Sequence, residues 1–137
     1  MSDITKVPAS FAVIFIGNKI CATTRTDGTI GLPGGKGEPG ETAVETAVRE
    51  SYEEGWEIKT DNLIPYITQD VSGREVTWVF VQGGSVNMLE EWKEKDRGIG
   101  PILVSIQEMI DSGRGNEKAI NLALESYAIL VGHSLER

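Results

Sequence analysis

The sequence predicts an α+β domain in which strands and helices stack in layers around one core. Three observations carry this. The chain has 137 residues, 39% of them hydrophobic and 25% charged, enough for one domain with a buried interior. Short β-rich runs alternate with two Ser/Thr-x-x-Glu helix-capping signals. No repeat, low-complexity tract or linker divides residues 1–137, so a single domain is expected.

The elements follow in order. Ser10–Ile16 (SFAVIFI) is apolar and β-rich, and reads as a strand buried on both faces. Gly17-Asn18 is a turn signal, and Lys19–Arg25 reads as the hairpin partner. Asp27-Gly28 marks another turn, followed by a glycine-rich loop from Gly31 to Gly40. Thr42 and Glu45 form a capping box, so a helix should run to about Glu54 and stop at Gly55. Asn62–Asp70 and Arg74–Gln82 flank Ser72-Gly73 as a second hairpin. Gly83–Gly100 is polar and is expected to be loop, with a helical turn around Leu89–Lys93. Pro101–Ser105 reads as a last strand. Ser105 with Glu108 caps a helix ending near Gly113, and Asn116 can cap a final helix, Glu117 to Val131.

Composition narrows the function. Thirteen Lys+Arg against 21 Asp+Glu give a net charge of −8, which argues against a nucleic-acid coat. A small phosphorylated ligand remains compatible if a metal offsets its charge. A single cysteine, Cys21, permits no intrachain disulfide. The start lacks a basic leader region, and Phe11–Ile16 is too short for a signal core or a membrane span. A cytoplasmic protein without a membrane anchor is expected.

The most informative stretch is Gly31–Ile58, GLPGGKGEPGETAVETAVRESYEEGWEI. On a helical wheel, Ala43, Val44, Ala47, Val48 and Ser51 form an apolar-to-small arc, with Glu50, Glu53 and Glu54 on the adjacent arc. Carboxylates at this spacing repel, at a cost of roughly a few tenths of a kcal/mol per pair. They also lie toward the C-terminal end, where the helix dipole disfavours negative charge. Two penalties on one feature point to a compensating cation, and oxygen-only donors point to Mg²⁺ or Mn²⁺. The alternative is a solvated acidic face with Arg49 paired to Glu45. Gly35–Gly40 also matches GxGxxG, but Glu38 and Glu41 flank it where a pyrophosphate would need bare N–H groups. No Gly-Lys-Ser/Thr phosphate loop is present. Gly34-Gly35 instead reads as bringing backbone close to the helix and offering a carbonyl to a metal.

This span resembles the Nudix box of the Nudix hydrolase superfamily, G-x5-E-x7-R-E-U-x-E-E-x-G-U with U apolar. Gly35, Glu41, Arg49, Glu50, Glu53 and Glu54 fall in register, and Leu32-Pro33-Gly34 matches the usual lead-in. Two departures stand beside these matches. Ser51 replaces an aliphatic residue, and Gly55-Trp56 follows Glu54 one residue early.

The resemblance implies an α/β/α sandwich with a mixed β-sheet. It implies a hydrolase that directs water at a phosphorus of a nucleoside diphosphate linked to another group X, with Mg²⁺ or Mn²⁺ as cofactor. By position, Glu50, Glu53 and Glu54 would be metal ligands with the Gly34 or Gly35 carbonyl. Arg49 would hold glutamates in place, and Glu41 would position Arg49 or reach the metal through water. The general base would be Glu53 or a carboxylate of the Gly83–Gly100 segment. Among Glu90, Glu91, Glu94 and Asp96 there, Glu94 is favoured.

On the substrate side stand Gly34, Arg25, as a phosphate contact, and Trp92, as a base-stacking platform. Tyr66 and Trp78 are expected in the core, Tyr127 in packing, and His133 has no assigned role. The partner would be a small nucleotide: a damaged nucleoside triphosphate, ADP-ribose, a nucleotide sugar, a dinucleotide or a dinucleoside polyphosphate. No motif chooses among them. Dimers are common in the family, so a homodimer is compatible. The alternative function is a non-catalytic Nudix-like nucleotide-binding or protein-interaction module.

Overall fold

A computed structural model describes residues 6–17, 19–60, 62–71, 73–81 and 85–112. The expected final helix, with Asn116, Tyr127 and His133, lies outside these residues.

The first apolar run splits into β1 (Ala9–Val13) and a two-residue β2 (Phe15–Ile16). The two then serve different sheets. β2 turns through Gly17, at φ 62°, into β3 (Lys19–Thr24), the expected hairpin. β3 also pairs with β4 (Ile30–Gly31) and with β10 (Pro101–Ser105). β1 instead lies between β5 (Gly34–Lys36), antiparallel, and β8 (Arg74–Val81), parallel. β7 (Leu63–Val71) closes this sheet at its other edge, in the order β5-β1-β8-β7. The sheet is therefore mixed, as expected. β7 and β8 form the second hairpin, with Gly73 at φ 83° in its turn.

Two expectations are corrected. Gly31–Gly40 is not all loop, because Gly34–Lys36 is a strand. A Cβ on Gly34 would stand 2.2 Å from the Ser10 carbonyl oxygen, so bare backbone is what lets β5 lie against β1. Gly83–Gly100 is not all loop either. Ser85–Met88 forms β9, antiparallel to β6 (Trp56–Lys59). Its sequence, SVNM, alternates polar and apolar residues over only four positions, the shortest run that can announce a strand. The helical turn of this segment is a 3-10 turn at Lys95–Arg97, later than expected.

The main helix, α1 (Ala43–Glu53), starts as its capping box dictates. Thr42 Oγ1 accepts from the Glu45 N–H at 3.1 Å, and Glu45 Oε1 accepts from the Thr42 N–H at 2.9 Å. A second box, Ser105 with Glu108, opens α2 (Ile106–Ser112).

The shortened end after Glu54 is absorbed at Gly55, which takes φ 104° and stops the helix. A Cβ there would lie 2.5 Å from Pro101 Cδ, so only glycine fits. The next residue, Trp56, starts β6 at once and drives its indole N–H onto the Ala22 carbonyl at 2.8 Å.

Strand alternation divides the interior in two. Ala9 and Val13 of β1, with Val76, Trp78 and Phe80 of β8, join Met109 of α2 on one side. Ala12, Val79 and Val81 join Ala47 of α1 and Trp56 on the other. Helices thus cover both sides of the strands, which is the layered arrangement expected. α1 packs against β1, β5 and β6, and this fixes its acidic side beside the glycine strand.

Candidate active site

The acidic side of α1 is held by arginines. Arg49 makes five hydrogen bonds, matching its five N–H donors. Nε and Nη2 fork onto Glu41 at 2.7 and 3.0 Å, Nη1 reaches Glu50 at 3.1 Å and Glu53 at 2.8 Å, and Nη2 reaches the Lys36 carbonyl at 2.9 Å. The Glu45 pairing of the solvated-face alternative is not what Arg49 makes. Glu41 accepts further from the Glu38 N–H at 2.9 Å and the Thr46 hydroxyl at 2.7 Å. Led by the Arg49 hydrogen bond, these donors pull the Glu41 carboxyl down to about 2. The same contact with Glu41 pushes the Arg49 pKa up.

Glu54 is held differently. Its side chain is 5% exposed. Arg25 Nη1 donates to it at 2.9 Å and the Gly34 N–H at 2.8 Å. Arg25 is itself fixed, donating to the Leu32 carbonyl at 3.0 Å and lying where a Gly31 Cβ would be 2.8 Å from its Nε. Burial outweighs both donors and pushes the Glu54 carboxyl up to about 7. Glu50 is also raised, first by burial and then by the Glu53 charge, with Glu94 adding to it. Its carboxyl carbon stands 2.7 Å from where a Gly35 Cβ would be, so it rests on bare backbone.

The segment after β9 closes the site. The Glu94 N–H donates to the Glu53 carbonyl at 3.0 Å, and Glu94 Oε2 takes Arg97 Nη1 at 2.9 Å. Lys93 Nζ lies 3.4 Å from Glu53 Oε1. Of the four acidic candidates there, Glu94 is 17% exposed at its side chain, whereas Glu90, Glu91 and Asp96 are exposed. The Trp92 indole N–H donates to the Ile99 carbonyl at 2.6 Å. Trp78 is buried in the core.

Gly34, Gly35, Glu41, Arg49, Glu50, Glu53, Glu54, Arg25 and Glu94 are thus brought together, and Trp92 stands on the same closing segment. Sequence reasoning missed the Arg25–Glu54 pair and the Gly34 N–H that shares it. They join residues 29 and 20 positions apart, and no local spacing rule reaches that far.

The donor set suits a divalent cation by chemistry: carboxylate oxygens crowded against bare glycine backbone, with no sulfur or imidazole among them. Among the described residues no three acidic side chains stand as a ready metal-ligand group. Arg49 and Arg25 balance the carboxylates instead.

Known proteins bear on this geometry. A solved MutT, from a study of the Aliivibrio salmonicida and Vibrio cholerae proteins, aligns with 89% of this chain and 97% of its own at 23% identity, TM-score 0.65. A NUDIX hydrolase from Nitrosomonas europaea aligns with 90% of each chain at 20% identity, TM-score 0.61. A structure described as an ADP compounds hydrolase aligns with 86% of this chain and 71% of its own at 16% identity, TM-score 0.63. These likenesses show a shared fold. A search of curated proteins gave no significant match. A sequence model of the NUDIX domain matches residues 6–120, which include every site residue described above. The chain belongs to the NUDIX domain family.

Proposed function

We propose that this Nudix hydrolase cleaves a pyrophosphate bond in a nucleoside diphosphate linked to another group, using Mg²⁺ or Mn²⁺. The observation that carries the reading is the Glu50 carboxylate. It is part-buried against the bare Gly35 backbone, with Glu53 and Glu94 raising its pKa further. A carboxylate placed where its own charge is disfavoured is a group awaiting a cation.

In this reading Glu50, Glu53, Glu54 and the Gly35 carbonyl would hold the metal. When bound it would offset phosphate charge and make a water more acidic. Arg49, gripped by Glu41, keeps Glu50 and Glu53 oriented through one rigid guanidinium. Glu94 takes the proton of the attacking water, with Glu53 as the other candidate, a role worth about 10²–10⁴-fold in rate. Arg25 serves Glu54 and stands at the phosphate side with Gly34. The similar structures, a MutT and an ADP compounds hydrolase, support a nucleotide substrate.

Gly55 supports catalysis over a binding-only module. The shortened box end leaves the helix stop intact and the three glutamates in register.

The test is phosphate release, coupled to a phosphatase, from pyrophosphate-linked nucleotides: nucleoside triphosphates, ADP-ribose, nucleotide sugars, dinucleotides and dinucleoside polyphosphates. The assay runs at alkaline pH, where Glu54 is ionised. The expected result is hydrolysis of one class, abolished by EDTA. No release from any class by folded protein with either metal contradicts the reading.

A further inference from the structure

The turn that carries Glu94 is built more tightly than its polar sequence suggests. Lys95 N–H donates to the Trp92 carbonyl at 3.3 Å, Arg97 N–H to the Glu94 carbonyl at 3.1 Å, and Gly98 N–H to the Lys95 carbonyl at 3.1 Å. Gly98 takes φ 77° and reverses the chain. Trp92 then spans the whole turn, its indole N–H closing onto the Ile99 carbonyl at 2.6 Å.

The ring edge packs on Gly100, where an added Cβ would stand 2.8 Å from Trp92 Cζ2. Lys95 Nζ covers the ring at 5.1 Å from its centroid. The far end of the turn is tied to β3, with Thr24 N–H on the Gly100 carbonyl at 2.9 Å and Gly100 N–H on Thr24 Oγ1 at 3.1 Å. The near end is tied to the end of α1 by Glu94 N–H on the Glu53 carbonyl.

We infer that Trp92 is a positioning residue, whose indole clasp on Ile99 and Gly100 fixes the turn and thereby sets the Glu94 carboxylate beside the end of α1. This differs from the base-stacking role the sequence suggested. The indole has committed its polar edge to Ile99 and a ring face to Lys95, so it is a brace first. The inference rests on the proposed function only for Glu94's catalytic part; the clasp itself is a structural claim.

Three variants separate the roles. Trp92→Phe keeps an aromatic platform but loses the N–H. Gly100→Ala leaves Trp92 intact but places a methyl where the indole edge lies. Trp92→Ala removes both functions. A clasp predicts that Trp92→Phe and Gly100→Ala each lower kcat by about tenfold or more with KM nearly unchanged, because misplacement of a reacting group by about 1 Å costs that much. Trp92→Phe combined with Gly100→Ala should be little worse than either alone, since both loosen the same clasp. A stacking platform predicts the opposite pattern: KM rises in Trp92→Ala and is restored in Trp92→Phe.

Amide hydrogen exchange supplies a readout independent of turnover. Glu94 should exchange faster in both Trp92→Phe and Gly100→Ala, with protection in α1 and β8 unchanged. Unchanged Glu94 exchange in both variants overturns the clasp, even if no substrate is ever found. Wild-type protein inactive on every nucleotide would overturn the proposed function and leave this exchange test standing.

Discussion

Two arginine–glutamate contacts of nearly equal length move their carboxyls in opposite directions. Arg49 meets Glu41 at 2.7 Å and the carboxyl falls to about 2. Arg25 meets Glu54 at 2.9 Å and the carboxyl rises to about 7. Donor number and burial make the difference. Glu41 takes two guanidinium bonds, a backbone N–H and a hydroxyl. Glu54 takes one guanidinium bond and one backbone N–H, is almost wholly enclosed, and feels the Glu50 charge. A short ion pair therefore does not by itself mark a stabilised charge. The first pair is a fixed support, and the second is a charge still short of compensation.

The largest expected effect separates stability from activity at Glu54. Glu54→Gln should lower turnover by more than ~100-fold, beyond the loss typical of removing a residue behind the ligands. The same change should stabilise the metal-free protein at alkaline pH. A raised carboxyl gives stability that is full below its ordinary value of 4.5 and lost as pH rises through about 7. Unfolding in EDTA should thus show wild type weakening across that window and Glu54→Gln holding steady. Parallel losses of activity and stability would break the comparison.

Arg49→Gln comes next. It strips one support from Glu41, Glu50 and Glu53 together. With the arginine side chain 26% exposed, the loss should fall between that of a surface and a buried pair, about 2 kcal/mol by denaturant unfolding. Arg49→Lys should recover little, because an ammonium cannot supply the fork.

Glu41→Gln sharpens the other half of the contrast. A depressed carboxyl gives stability present above its ordinary value of 4.5 and lost as pH falls toward about 2. The variant should flatten acid unfolding in that window and leave the loss of stability toward pH 7 unchanged.

The smallest effect concerns Ser51, on the packed side of the same helix. It is fully buried, and its hydroxyl has no hydrogen-bond partner among the described residues. Ser51→Ala should therefore be stabilising, by about 1 kcal/mol, seen as a Tm raised by a few degrees.

Much of this was legible in the sequence, for local reasons. The Thr42–Glu45 box and Gly55 bound α1 because caps act within one turn, and Gly73 marked the β7–β8 hairpin for the same reason. The site glutamates were legible through spacing and through resemblance to a family pattern. What escaped was long-range or compositionally silent. β5 is glycine-rich and becomes a strand only because β1 lies close enough to exclude a side chain. β9 alternates over only four residues within a polar segment, and it is fixed by pairing with β6. Arg25 carried no local sign that its partner would be Glu54, and nothing local announced that the Trp92 indole would donate to the Ile99 backbone oxygen.

The measurement that bears most directly on the account is a Mn²⁺ titration of wild type and Glu54→Gln, followed by Tm at alkaline pH. If the arginine-balanced glutamates are the metal site, Mn²⁺ raises the wild-type Tm in a saturable way and EDTA reverses it, because a ligand that binds only the folded state stabilises it. Glu54→Gln, folded and more stable without metal, should show little or no Mn²⁺ shift. Equal shifts in the two proteins, or none in wild type, would contradict the claim that these glutamates are crowded for a cation.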